Sequence, residues 1–103
     1  MNDALCLAPD AASDLFQIWH YLRREASGEV ADRIEAVIRG RMTLLAKNPG
    51  LGHFRRDLTD KPVKFLRVHS WLIIYRPETH PLQVTSVLHA SRDVSKILGR
   101  RIV

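Results

Sequence analysis

The sequence predicts an α+β fold in which an antiparallel helical hairpin packs on one face of a small, twisted, mainly antiparallel sheet. Three features of the 103 residues support this prediction. Two long stretches in the first half place apolar residues at helical spacing, and a Ser-Gly pair separates them. Three strand-like runs then fill the second half. Because helices and strands are segregated along the chain, we expect the helices to cover one face of the sheet and leave the other open.

A short N-terminal strand and a first helix open the chain. An apolar stretch predicts a strand over residues 3–8. Pro9 suits the first turn of the helix that follows, because the N–H that proline lacks would have no partner there. Asp10 and Asp14 add negative charge near the positive end of this helix. Its predicted apolar face consists of Leu15, Ile18, Trp19 and Leu22.

The second helix is predicted from Glu29 to Lys47, again with apolar residues at helical spacing. Ser27-Gly28 interrupts the helical pattern before it, and Asn48-Pro49-Gly50 ends it. A connection this short between two long amphipathic helices requires them to lie antiparallel, as a hairpin.

The second half reads as a loop and three strands, followed by a short helix or tail up to Val103. The run from Trp71 to Tyr75 is almost continuously apolar, which is typical of a central strand covered on both faces. We expect Trp19, Trp71 and Tyr75 to be core residues. The predicted ranges are a loop over 48–62, strands over 63–68, 71–77 and 82–88, and turns at 69–70 and 78–81.

Length and composition describe an ordinary globular chain, which we expect to form one domain over residues 1–103. The N-terminus has no signal-peptide pattern, and no apolar run is long enough to cross a bilayer, so we expect a cytoplasmic protein without a membrane partner. Cys6 is the single cysteine, so an internal disulfide is excluded, and we expect a buried, inert thiol.

The charge balance points to an anionic partner. Lys and Arg number 16 against 11 Asp and Glu, for a net charge of +5. Nucleic acid, an RNA–protein machine and an acidic protein all fit this surplus, and a solvated surface face is the simplest alternative. The chain contains no GxGxxG or Walker motif, no ligand-like spacing among its five histidines and no suitable carboxylate pair. We therefore expect neither a cofactor nor a metal.

The candidate functional residues are basic side chains along the C-terminal sheet and its loops. Such residues bind phosphates and stabilise the charge of a phosphoryl transition state, but a metal-free ribonuclease also needs a base and an acid. His89 could take one of those roles. Simpler alternatives are a surface salt bridge for Arg67, a hydrogen-bonded structural histidine at His89, and helix capping by Arg92-Asp93. The set is Arg55, Arg56, Lys64, Arg67, Arg76, His89 and Arg92.

Four stretches together resemble the ParE branch of the RelE/ParE superfamily, the toxins of bacterial type II toxin–antitoxin modules. They are ASDLFQIWHYL, ADRIEAVIRGRMTLLAKNPGLGHFRRDL, KFLRVHSWLIIYR and VTSVLHASRDV, within about Leu5 to Val94. The resemblance implies the fold predicted above. It also implies a cognate antitoxin, expected to be acidic, whose C-terminal segment wraps the toxin. Operator DNA would then be contacted only through the antitoxin.

The resemblance leaves the target to be chosen. ParE-type toxins poison DNA gyrase by trapping it with cleaved DNA, whereas RelE-type relatives cut mRNA in the ribosomal A site. Arg67 and Arg92 fall where RelE-like nucleases carry arginines. Those nucleases also carry a basic pair on the preceding strand, and this sequence has only Lys64 there. The tail DVSKILGRRIV contains no tyrosine or histidine for proton transfer.

The resemblance therefore favours a gyrase inhibitor without catalysis of its own, of the kind that serves plasmid stabilisation. Three alternatives stay open. One is a ribosome-dependent ribonuclease using Arg67, His89, Arg92 and Lys64. Another is a non-toxic relative retained for antitoxin binding and autoregulation of its operon, and the most distant is a generic nucleic-acid-binding domain. In the favoured interpretation the target- or partner-binding residues are Arg55, Arg56, Arg67, Arg76, His89 and Arg92.

Overall fold

The structure, a computed structural model, describes residues 4–101. It confirms the predicted order of elements and resolves the C-terminal segment as a helix. Asp3, at the start of the predicted first strand, and the last two residues of the predicted tail lie outside the described range. The elements are β1 (Leu5–Leu7), α1 (Pro9–Glu25), α2 (Gly28–Lys47), a 3₁₀ helix (Pro49–Leu51), β2 (Lys64–Val68), β3 (Trp71–Arg76), β4 (Leu82–His89) and α3 (Val94–Arg100).

The four strands form one mixed sheet in the order β1-β4-β3-β2. β1 runs parallel to β4, while β2–β3 and β3–β4 are antiparallel, so the sheet is mainly antiparallel as predicted. A register shift after Ile74 leaves Thr85 without an opposite residue on β3. Because β1 pairs only with residues 82–84, the C-terminal part of β4 has α1 beside it instead of a strand.

The helical hairpin supplies the core on one face of the sheet. Only Ala26 and Ser27 separate the two helices, and the Ser27 side chain caps α2 by accepting a hydrogen bond from the Val30 N–H (3.1 Å). Apolar side chains of both helices meet those of the three long strands in a continuous cluster. Its buried members include Leu15, Ile38, Met42, Leu45, Val68, Ile73, Tyr75, Val84 and Val87.

The expectation that the other sheet face is open is wrong, because α3 covers it. Val94 and Leu98 of α3 pack on a second buried cluster that includes Phe65, Leu72 and Ile74. Asp93 starts α3 by accepting a hydrogen bond from the Lys96 N–H (3.1 Å), as the capping alternative predicted. The sheet therefore has a core on both faces, which explains the near-continuous apolar run of β3.

Three expectations about burial are corrected or confirmed by the structure. Cys6 is exposed, not buried, since it lies on an edge strand and alternate side chains of a strand point to opposite faces. Trp19 and Trp71 are only half-buried. The Trp19 indole N–H donates to the Asp32 carboxylate (2.8 Å), so the side chain spans apolar and polar surroundings. Tyr75 is a core residue, as predicted, with no exposed surface.

Candidate functional site: a basic pocket and an apolar groove that meet at Arg92

The predicted functional residues are not gathered in one site. Three of them, Arg55, Arg67 and Arg92, line a pocket where the loop after α2 meets β2 and the corner between β4 and α3. His89 lies instead in a groove along α1, and Arg92 borders both cavities. The remaining three, Arg56, Lys64 and Arg76, line neither cavity.

The basic pocket is a cavity of about 290 Å³. Its lining combines cationic with apolar side chains and includes no carboxylate. The lining residues, all within the described part of the chain, are His53, Arg55, Leu58, Phe65, Arg67, Leu72, Ala90, Arg92 and Val94. His53 was not among the residues predicted from the sequence.

Backbone pairing and a buried tyrosine fix the loop that forms one wall of this pocket. His53 and Phe65 exchange two backbone hydrogen bonds (3.0 and 2.8 Å), which extends the edge of the sheet by one isolated bridge. The Tyr75 hydroxyl donates to the Pro49 carbonyl (2.7 Å) and accepts from the Gly52 N–H (2.9 Å). Burial raises the pKa of Tyr75, against the smaller opposing effect of the Gly52 hydrogen bond.

The three arginines of the pocket differ in how far their charge is neutralised. Arg55 makes a bidentate pair with Asp57 (2.9 and 2.8 Å), which raises the pKa of Arg55 and lowers that of Asp57. Arg67 is exposed and donates from Nε to the His69 carbonyl (2.8 Å). The Arg92 guanidinium forms no ion pair with any residue from 4 to 101.

Two more predicted cations flank an exposed aromatic ring next to the pocket. Phe54 is 44% exposed, with the Arg56 guanidinium 4.6 Å and the Lys64 ammonium 5.1 Å from its ring centroid. Both distances are within the range of cation–π attraction. We call these three residues the Phe54 platform. Arg76 is not part of this platform and donates to the Gln83 side chain (3.4 Å).

The second cavity, the α1–β4 groove, has a volume of about 610 Å³ and is largely apolar. Two of its aromatic residues are unusually exposed for their size, Phe16 at 65% and Tyr21 at 52%. Its lining residues include Phe16, Ile18, Tyr21, Trp71 and Val87, with His20, Arg24, His89 and Arg92 as basic members and Asp14 as the acidic one.

His89 is held inside this groove by local contacts. Its ring packs edge-on against Trp71, with 5.6 Å between the ring centroids. Nδ1 accepts a hydrogen bond from the Ser91 N–H (3.1 Å) and lies 2.7 Å from the Ser91 hydroxyl. The neutral ring therefore carries its proton on Nε2. These contacts match the structural alternative for His89 and keep its ring in a different cavity from Arg55 and Arg67.

A buried ion pair beside the groove is the main feature that sequence reasoning missed. Asp14 is 6% exposed and accepts hydrogen bonds from the Val87 N–H (2.9 Å) and from both terminal nitrogens of Arg101 (2.8 and 3.1 Å). Arg101 also donates to the Ser86 hydroxyl (2.9 Å). The hydrogen bonds that Arg101 donates to Asp14 raise the pKa of the Arg101 guanidinium. The sequence did contain one indication that Asp14 is buried. It lies directly before Leu15 and one turn before Ile18, on the apolar side of α1.

Other site types find little support in the described residues. Within 4–101, no group of three or more His, Cys, Asp or Glu side chains is arranged to hold a metal ion. No helix in the same range has the length and apolar character needed to cross a bilayer.

Comparison with known proteins identifies the family. The profile described as "ParE toxin of type II toxin-antitoxin system, parDE" matches residues 5–94, which is most of the chain. The chain belongs to the ParE toxin family. It is therefore a toxin of the type II class, as the sequence resemblance predicted.

A solved structure supports the same fold for this ParE-family chain. A structure titled "Chromosomal ParDE TA system from P. aeruginosa" aligns with a TM-score of 0.72 at 19% sequence identity. The alignment covers 85% of this chain and 96% of the other. No curated protein sequence gives a significant match.

Proposed function

We propose that this ParE-family toxin inhibits DNA gyrase by binding, without chemistry of its own, and that a cognate antitoxin neutralises it in the cytoplasm. The observation that supports binding over catalysis is the set of residues that line the basic pocket. Hydrolysis of RNA without a metal needs both a proton acceptor and a proton donor beside the phosphate. His53 is the one imidazole among the residues that line the pocket, and the His89 ring is in the α1–β4 groove.

The second candidate function is a ribosome-dependent mRNA endonuclease, and one observation favours it. His53 shares the basic pocket with Arg55, Arg67 and Arg92, so one proton-transfer group and three transition-state cations are already together. In that case a group from the ribosome or the RNA would have to supply the second proton transfer.

A paired assay on the purified toxin separates these functions. One arm measures gyrase supercoiling and the accumulation of cleaved DNA, and the other measures mRNA integrity on translating ribosomes. We expect inhibited gyrase and intact mRNA. Cut mRNA beside fully active gyrase would contradict the proposal and would make His53→Ala and Arg92→Ala the decisive variants. A toxin inert in both arms would point to a non-toxic relative that binds antitoxin.

The α1–β4 groove is the proposed docking site of the antitoxin. Exposed aromatic side chains and a half-buried tryptophan offer apolar area, and basic residues stand beside them. A segment that alternates apolar and acidic residues matches this combination, and it would suit the net charge of +5. In this proposal operator DNA is contacted through the antitoxin alone.

Introducing a negative charge into the groove tests this docking site. We expect Phe16→Asp and Tyr21→Asp each to weaken antitoxin binding at least tenfold, because each removes apolar contact area and repels acidic residues. Isothermal titration with the antitoxin measures the loss. Leu44→Asp is the matched control, since Leu44 is also an exposed apolar residue (39%) but lies on α2 and does not line the groove. An equal loss in the control would contradict the assignment.

A further inference from the structure

We propose that gyrase contacts this toxin at the C-terminal end of α2 and the loop that follows, through an acidic segment of gyrase that also carries apolar side chains. The inference deepens the proposed function and rests on it, because it names the surface that the target would bind. We call this surface the α2-loop surface, and it combines three exposed apolar residues with three cations: Leu44, Lys47, Leu51, Phe54, Arg56 and Lys64.

The first observation is where the exposed apolar side chains lie. Among residues 4–101, five large apolar side chains are substantially exposed, and they fall into two groups. Phe16 and Tyr21 belong to the α1–β4 groove, the proposed antitoxin site. The others line neither that groove nor the basic pocket, and exposed apolar residues grouped in this way mark interaction sites. They are Leu44 (39%), Leu51 (43%) and Phe54 (44%).

Backbone hydrogen bonds keep these three residues close in space. The Asn48 N–H donates to the Leu44 carbonyl (2.9 Å), and the Leu51 N–H donates to the Asn48 carbonyl (3.1 Å). Two helical turns of this kind advance the chain by about 12 Å, and the three further residues to Phe54 add about 10 Å at most. A standard interface covers about 800 Å² on each partner, so one partner can contact all three residues.

The second observation is the charge that surrounds these apolar residues. Residues 41–64 contain six Lys or Arg against two Asp, so they carry +4 of the net charge of +5. The Phe54 platform places Arg56 and Lys64 beside the exposed ring, and Lys47 lies in the last turn of α2. An acidic partner complements this surface, whereas a second copy of the same chain would place cations against cations.

The aliphatic members of the surface select a protein partner. Leu44 and Leu51 gain free energy of binding only when another apolar surface covers them, and a phosphate backbone offers none. Aromatic residues and arginine are enriched at the centres of protein interfaces, and Phe54 with Arg56 provides this combination. The expected partner segment therefore alternates acidic residues with apolar ones.

The third observation separates this surface from the α1–β4 groove. Lys64 pairs with Tyr75 at one end of the β2–β3 ladder, and Val68 pairs with Trp71 at the other end. Trp71 lines the groove, and four residues of extended strand span about 13 Å. Because the two surfaces lie toward opposite ends of this ladder, a substitution can weaken gyrase binding and leave antitoxin binding intact.

The affinity of the full-length toxin for DNA-bound gyrase, measured by biolayer interferometry beside a supercoiling assay, tests the proposal. We expect Leu51→Asp and Phe54→Asp each to bind gyrase at least about tenfold more weakly and to inhibit supercoiling correspondingly less. Their affinity for the antitoxin, measured by isothermal titration, should stay within about threefold of wild type. Retained antitoxin binding also shows that these variants are folded.

A pair of double variants tests the contribution of charge. Lys47→Glu/Arg56→Glu reverses two cations of the α2-loop surface and should weaken gyrase binding at least about tenfold. Arg23→Glu/Arg33→Glu is the matched control, because it reverses two exposed arginines on α1 and α2 outside this surface. The control should lose less than about threefold, since only the long-range attraction of the whole molecule changes.

The possible failures are distinguishable. Wild-type toxin that does not bind gyrase would contradict the proposed function, and this inference would fail with it. Wild type that binds gyrase no better than Leu51→Asp and Phe54→Asp would overturn this inference alone. An equal loss in the two double variants would show that only net charge matters. A loss of antitoxin binding as large as the loss of gyrase binding would contradict a surface separate from the α1–β4 groove.

Discussion

At the scale of single residues, the contact between Tyr75 and Gly52 connects the sheet to the loop that walls the basic pocket. A Cβ atom on Gly52 would lie 2.5 Å from the Tyr75 hydroxyl and 2.8 Å from the Phe65 carbonyl oxygen. Both neighbours are fixed, one by burial and the other by the backbone bridge to His53. Glycine is therefore required at position 52 for the loop to approach β2 and β3 this closely.

Gly52→Ala is expected to destabilise the protein by about 1–3 kcal/mol, because the loop has to move away from β2 and β3. Gly40→Ala is the control, since Gly40 lies within α2 and a Cβ there meets nothing within 4 Å. It should stabilise by about 0.5–1 kcal/mol through helix propensity. Urea unfolding of the two variants measures both changes, and an unaffected Gly52→Ala protein would contradict the close packing.

The raised pKa of Tyr75 predicts a loss of stability in alkali. In the unfolded chain the hydroxyl ionises near its ordinary value of 10.0, whereas burial keeps it protonated to higher pH in the folded state. Its contribution is therefore fully present below about pH 10 and is lost as pH rises through the folded pKa. Tyr75→Phe should lower stability at neutral pH by about 1–3 kcal/mol, because the Gly52 N–H loses its partner.

Urea unfolding of wild type and Tyr75→Phe between neutral and strongly alkaline pH tests whether the stabilising contribution of Tyr75 falls as pH rises. The wild-type advantage should shrink as pH rises past about 10, while ionisation of the other titratable groups affects both proteins alike. A difference in stability between wild type and Tyr75→Phe that stays constant or grows would show that burial does not protect the Tyr75 hydroxyl from ionisation.

Single residues also show what the sequence could and could not predict about the site. Arg67 and Arg92 were both among the seven candidate residues, and the resemblance implied arginines at their positions; the structure places both in one pocket. His53 and Phe54 were missed because a Gly- and Pro-rich loop gives no periodicity from which to place a side chain. The Asp14–Arg101 pair joins residues 87 positions apart, and no local pattern predicts such a contact.

At the scale of elements, α3 shows how a short helix is held in place. Seven residues are too few to form a stable helix alone. Val94 and Leu98 bury its apolar side, and the Lys61 ammonium bonds the carbonyls of Leu98 and Arg101 (3.0 and 2.8 Å) at its C-terminal end. Arg101 then reaches Asp14 on α1. The sequence predicted the helix or tail but not its position, because that depends on these distant partners.

Asp14→Asn is expected to destabilise the protein by about 2–3 kcal/mol, since Arg101, whose side chain is only 19% exposed, loses its counter-charge. The amide protons of α3 should also exchange faster. Asp10→Asn is the control, because that carboxylate is 53% exposed and 3.8 Å from Arg101. Its effect should stay within about 0.5 kcal/mol. Hydrogen exchange that is unchanged in α3 of Asp14→Asn would show that Asp14 does not hold the helix.

At the scale of the whole molecule, the fold was predictable because its patterns are strong and mutually consistent. Two helices, each with one apolar face and joined by two residues, can pack in few ways other than an antiparallel hairpin. The apolar run of β3 identified the central strand. The covered second face was not predicted, since it is formed by α3, whose seven residues carry too short a pattern. Four arginines line the basic pocket or the α1–β4 groove, and the sequence did not predict how they divide between the two cavities: Arg24, Arg55, Arg67 and Arg92.

The measurement that tests the proposed function most directly is the state of chromosomal DNA in cells that produce this toxin without its antitoxin. A gyrase poison predicts growth arrest with double-strand breaks whose ends are covalently attached to gyrase, and co-production of the antitoxin should prevent both. Arrested growth with intact DNA and cleaved mRNA would contradict gyrase as the target.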